Sequence, residues 1–144
     1  MAHKGKFRPK NPAKYHGDPT NIIYRSGWEL KYMAHLDSAK DVISWSSEEV
    51  IIRYKSPKDG KYHRYFPDFW VKRKVGNVTE EILIEIKPSK QTLPPKKPPK
   101  VTRRYFSEVM TWGINKAKWD AAEVYCESRQ WKFLIYTEKE LQIT

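Results

Sequence analysis

Asp68, preceded by Pro67, is followed seventeen positions later by Glu85 in Glu85-Ile86-Lys87. Two carboxylates can hold a hard cation, and one ammonium can sit where water attacks a phosphodiester. Glu85 and Lys87 are two apart, so on a strand both project from one face. Asp68 lies in Phe66-Pro67-Asp68-Phe69-Trp70, where a buried carboxylate is costly unless a cation or hydrogen bonds satisfy it. Pro67 lacks a backbone donor, which suits a sheet edge or a bulge that aims a side chain. Glu29 has two readings that spacing leaves open. It is the N3 acid of a capping box with Ser26, or a third carboxylate presented by a helix. An all-oxygen set of Glu29, Asp68 and Glu85 favours Mg²⁺, with Mn²⁺ as a substitute, over zinc. Lys87 would orient the attacking water or stabilise developing charge. The plain alternative is a surface strand with an incidental Asp68–Lys87 ion pair. The four histidines (His3, His16, His35, His63) are scattered, and the six glycines form no nucleotide-binding loop, so no small-molecule cofactor is expected.

The elements that must position these groups can be read from periodicity. A first helix runs from Ser26 to about Ser38, with Trp28, Tyr32, His35 and Leu36 on its buried face. Val42 to Tyr54 is β-like. A turn at 56–61 containing Asp59-Gly60 leads into a second strand, Tyr62 to Lys72. Gly76-Asn77 turns the chain into a third strand over 80–87, with Ile82, Ile84 and Ile86 on one face and Leu83, Glu85 and Lys87 on the other. Five prolines and four lysines between 88 and 100 exclude helix and central strand. A helix follows over 105–128, with Trp112, Trp119, Ala122 and Tyr125 near one stripe. Trp131 to Tyr136 is a short strand, and Thr137-Glu138-Lys139-Glu140 opens a short terminal helix. The order implies an α/β (α+β) layer with a central mixed sheet of about four strands flanked by helices.

At 144 residues the chain is expected to form one domain, 21–144, preceded by a basic extended arm, 1–20, and carrying the Pro/Lys-rich loop 88–104. The arm shows no helical or strand period and is expected to order only against a partner or the domain surface. The net charge of +11, from 28 basic and 17 acidic residues, points to a polyanionic partner, with nucleic acid first. Cys126 is the single cysteine, which excludes an intrachain disulfide framework and a thiolate zinc cluster. No stretch has the roughly 18 apolar residues of a membrane span, and the basic N-terminus lacks an apolar leader, so a reducing, cytosol-like compartment is expected.

Tyr24-Arg25-Ser26-Gly27-Trp28-Glu29, Tyr65-Phe66-Pro67-Asp68-Phe69-Trp70 and Ile84-Glu85-Ile86-Lys87-Pro88 together resemble the PD-(D/E)xK nuclease superfamily. The likeness is closest to the head-completion nucleases of T-even-type tailed phages and covers nearly the whole chain. Transposase endonuclease subunits with the same core look like more distant relatives. The resemblance implies a restriction-endonuclease-like core with Glu29, Asp68, Glu85 and Lys87 catalytic, the three acids holding the metal. It implies cutting of packaged DNA in the host cytoplasm during phage assembly, near or within the virion, so that head and tail can join. Phage head or neck proteins would then be partners. Asn115 and Lys118, placed near the start of the second helix, would approach the scissile phosphate. Lys90, Lys96, Lys97, Lys100, Arg103 and Arg104 would track the DNA backbone. With no helix-turn-helix or zinc finger, little sequence specificity is expected. Two rivals stand: a non-catalytic DNA-binding or head–tail joining protein on the same fold, and a transposase or junction-type endonuclease.

Overall fold

The computed structural model describes residues 4–142. Their order is β1 (Gly5–Phe7), β2 (Ile22–Tyr24), α1 (Gly27–Ser38), β3 (Val42–Ser47), β4 (Ile52–Lys55), β5 (Tyr62–Tyr65), β6 (Phe69–Val75), β7 (Val78–Ile86), α2 (Arg103–Arg129) and β8 (Lys132–Tyr136). Single 3-10 turns occupy Pro12–Lys14 and Ser89–Thr92. The central sheet has the order β3-β6-β7-β8, antiparallel except for the parallel β7–β8 pair. A parallel pair needs a long crossover, and α2 supplies it. The mixed four-stranded sheet flanked by helices is the architecture expected.

Both faces of this sheet are covered. Ile82 and Ile84 join Tyr32, Met33, Leu36, Trp45 and Phe69 in one core beneath α1. Leu83 points the other way and meets Trp119, Ala122 and Cys126 of α2. Double coverage explains why Ile82-Leu83-Ile84 is a continuous apolar run with no exposed member. Cys126 is a buried free thiol, and burial lifts it to about 11, so it serves as core. On α1, Met33 and Asp37 are buried while His35 is exposed, so the buried stripe is turned by about one residue from the expected one.

Two expected strands are each split in two. β3 and β6 end their pairing at Ser47↔Phe69, and β4 and β5 begin theirs at Ile52↔Tyr65. Between these pairs four residues (48–51) oppose three (66–68). This is a bulged corner: the ladder stops and the β4–β5 hairpin folds away over α2. Pro67, fully buried, brings no donor to continue the ladder. Glu48 turns with φ +55°, a left-handed conformation uncommon without glycine, and its N–H donates to the Asp68 carbonyl at 3.1 Å. β6 and β7 are joined by a tight turn with Gly76 at φ +63° in its first central position, as a type II′ hairpin requires.

Between 4 and 20 the chain does contain a strand. β1 pairs antiparallel with β2, and three residues are too few to show a period. The Asp37 carboxylate accepts from the backbone N–H groups of Lys10 (2.8 Å) and Asn11 (3.0 Å), and Lys14 Nζ donates to the Asp37 and Ala39 carbonyls. Tyr15 is buried edge-on against Trp45. The terminal helix expected after Thr137 is absent among the described residues. The capping contacts form, with Thr137 N donating to Glu140 Oε1, yet they close only turns.

Candidate active site

Asp68 sits in the bulged corner, one residue before β6. Phe69 pairs with Ile84, so Asp68 falls beside Glu85 of the neighbouring strand. Its Oδ2 accepts from the Ile86 N–H at 2.8 Å. Glu85 is 7% exposed, and its Oε1 accepts from the Tyr65 hydroxyl at 2.7 Å. Lys87 Nζ stands 3.9 Å from the other oxygen, Oε2. The strand pairing thus brings Asp68, Glu85 and Lys87 together, with Glu85 on the Leu83 face as alternation requires.

Burial pushes both acids up. Desolvation and then the Glu85 charge hold Asp68 well above the ordinary carboxylate range, against the pull of the Ile86 N–H. Desolvation likewise raises Glu85, while the Tyr65 hydroxyl and the charges of Lys87 and Lys118 act to lower it. Even with Lys87 and Lys118 nearby, both acids stay raised, so the two lysines do not fully offset the burial of the pair. An oxygen-preferring divalent cation would relieve that imbalance, so the donor chemistry fits Mg²⁺ or Mn²⁺.

Glu29 is more loosely tied to this centre. Its N–H donates to Ser26 Oγ at 3.2 Å, the first half of a capping box, while its Oε1 accepts from the N–H of Arg25, one residue before the N-cap, at 3.3 Å. Its charge nevertheless helps raise Asp68. Desolvation chiefly, and the nearby Glu48 charge, raise Glu29 itself. Among the described residues no three acid, histidine or cysteine side chains stand together as a set able to hold an ion. Strand pairing thus joins Asp68 to Glu85, and Glu29 reaches Asp68 through its charge.

Three neighbours escaped sequence reasoning. Tyr65 fixes one Glu85 oxygen, and burial first, then the Glu85 charge, push its phenol far up, so it stays a donor. Glu48 enters through the unforeseen break in β3 and binds Arg25, with Nη2 3.2 Å from Oε2. Tyr54 and Tyr65 both lie under the Lys118 ammonium at 5.7 Å. An aromatic two residues before Pro67-Asp68 was the one visible signal, for Tyr65. Lys118 and Asn115 occupy the middle of α2 rather than its start; ten or more residues of helix precede them, as they do in the expected span 105–128. Lys118 belongs to the acidic centre, whereas Asn115 lines a groove with Lys90 and Lys96. Lys97, Lys100, Arg103 and Arg104 are exposed, and Arg104 Nε pairs with Glu108 at 3.1 Å.

Residues 39–138 match the family described as TnsA-like endonuclease N terminal. That stretch includes Asp68, Glu85 and Lys87 and leaves Glu29 outside. The chain is also similar to the Head completion nuclease of Enterobacteria phage T4, with 44% identity over 146 residues, covering 99% of this chain and 95% of the phage protein. Both likenesses run through the bulged corner and β7 that carry the acidic pair, and on them the chain belongs to the TnsA-like endonuclease N-terminal family.

Proposed function

We propose that this chain is a deoxyribonuclease that needs a divalent cation and cuts with little sequence preference. We place its work in phage head completion, beside head or neck proteins in the infected cell. The single observation that carries the metal requirement is the Asp68–Glu85 pair next to Lys87, both acids raised by burial and Asp68 raised further by the Glu85 charge. The place in head completion rests on the likeness to the phage protein of that name.

Asp68 and Glu85 would hold Mg²⁺, with Glu29 adding negative field. The ion, when bound, supplies Lewis acidity toward the phosphodiester and a water activated near neutral pH. Tyr65 keeps Glu85 Oε1 fixed, so that Oε2 is the oxygen left facing Lys87. Lys87 orients the attacking water and stabilises charge as it develops on the phosphate. Lys118, held over two tyrosine rings, adds a second positive charge from α2. Corner and sheet hold these groups before substrate arrives, which is the condition for electrostatic stabilisation without reorganisation.

Plasmid incubated with purified protein and Mg²⁺ tests this directly. Cleavage that EDTA and Asp68→Ala both abolish supports the enzyme. The rival, a DNA-binding joining protein on the same fold, draws on the lack of a three-ligand set among the described residues. It predicts a gel shift with no cleavage under any divalent ion.

A further inference from the structure

A groove of about 660 Å³ runs between the proline–lysine segment and the N-terminal half of α2. Ligand sites typically span about 300–1,000 Å³, so it exceeds what an ion or water needs. Its walls are largely apolar: Leu93, Pro94 and Pro95 on one side, Trp112 on the other. Lys90 and Lys96 stand at its edge and are exposed. Glu108, the acid in its lining, is already paired with Arg104.

Both walls lead to the acidic centre. The segment wall begins at Lys90, three residues after Lys87. On α2, Thr111 and Asn115 line the groove at helical spacing, and Lys118, one turn on, is the residue whose charge reaches Glu85. From Ser107 to Lys118 the helix advances about 16 Å, which matches four or five stacked nucleotides at about 3.4 Å each.

We propose that this groove receives a short run of unpaired nucleotides of the strand being cut, leading it to Lys87. The proposal rests on the nuclease reading above and adds to it the form of the substrate. A paired duplex shows its surroundings mainly phosphates, which need cations but no apolar wall. Unpaired bases offer faces that stack on aromatic and apolar side chains while lysines meet the backbone. The net charge of +11 and the clustered lysines suit a polyanion rather than an apolar peptide. Preferred substrates would thus carry a frayed end, a gap or a flap.

The test uses the full chain bearing Asp68→Asn, in EDTA, so that binding is read without cleavage. Anisotropy of a labelled single strand and of a blunt duplex of equal length is measured at one salt concentration. The single strand is expected to bind about tenfold tighter, the scale of one or two stacking contacts. Adding Leu93→Glu, or separately Thr111→Glu, should remove that preference with the melting temperature unchanged. Both positions are exposed, so neither change disturbs packing. Equal affinity for the two DNAs overturns the proposal, as does a loss in Leu93→Glu that falls on both alike. A groove indifferent to both DNAs points to a protein segment as occupant and also overturns it. If wild type with Mg²⁺ or Mn²⁺ cuts no DNA at all, the nuclease reading fails separately, whatever the binding result.

Discussion

Asp68 and Glu85 stand side by side where β6 and β7 meet the corner; burial raises both, and the Glu85 charge raises Asp68 further. In the folded protein both carboxyls titrate above their ordinary range, so in that window the native state holds more protons than the unfolded chain. Stability without metal should fall as pH rises from the ordinary carboxylate range, about 4, through the raised values. Asp68→Asn removes one charge and keeps an acceptor for the Ile86 N–H. It is expected to raise the EDTA-state melting temperature by about 3–6 °C, to flatten that pH dependence and to abolish stabilisation by Mg²⁺; scanning calorimetry across pH reads all three. Lys87→Ala should leave ion binding intact while turnover falls about 10²–10³-fold. Lost Mg²⁺ binding in that variant would count against the role assigned. Glu29→Gln separates the two roles of that residue, since glutamine keeps an acceptor for the Arg25 N–H at the start of α1. The expected result is a stability change within about 0.5 kcal/mol together with slower cleavage. Unchanged cleavage would leave Glu29 a cap and nothing more. Tyr65→Phe leaves Glu85 Oε1 without its donor and should cost about 1–3 kcal/mol in denaturant unfolding.

The element that makes the site is the corner where β3 and β6 hand over to β4 and β5. The sequence places Pro67 there, and its missing N–H was legible as a bulge. The companion break at Glu48 was not legible, because a left-handed glutamate carries no local mark and Val42–Tyr54 looks uniformly β-like. Glu85 and Lys87 were placed on the correct face because alternation along β7 is strict. Tyr65 and Lys118 became neighbours of Glu85 only through the β4–β5 hairpin and the α2 crossover, which no local spacing encodes. The arm orders against the domain surface, one of the two ways expected of it, and the contacts that do this are distant in sequence: pairing with β2, Tyr15 on Trp45, and Asp37, which gathers two backbone N–H groups. Asp37→Ala removes that clamp and should cost about 2–3 kcal/mol, the upper range for hydrogen bonds to a charge. It should also make residues 4–14 the first site of limited proteolysis. Equal protease resistance in wild type and variant would show that the Tyr15–Trp45 packing alone suffices.

Across the whole molecule, basic residues outnumber acidic ones by 28 to 17. Six of the basic residues, Lys90, Lys96, Lys97, Lys100, Arg103 and Arg104, are exposed along the one segment that follows Lys87. A protein using several of these on phosphates should lose DNA affinity steeply with salt, by a log–log slope of about −0.7 per contact on single strands. Neutralising Lys90 and Lys96 together should reduce that slope by about one to two. Among the described residues no helix is long and apolar enough to cross a membrane. The claim beneath all of this is that Asp68 and Glu85 are the groups that hold the ion. Calorimetric titration of Mn²⁺ into wild type, Asp68→Asn and Glu85→Gln tests it most directly. Saturable binding to wild type, lost in both variants while their circular dichroism is unchanged, is the expected result. Binding of equal tightness in all three proteins would contradict it.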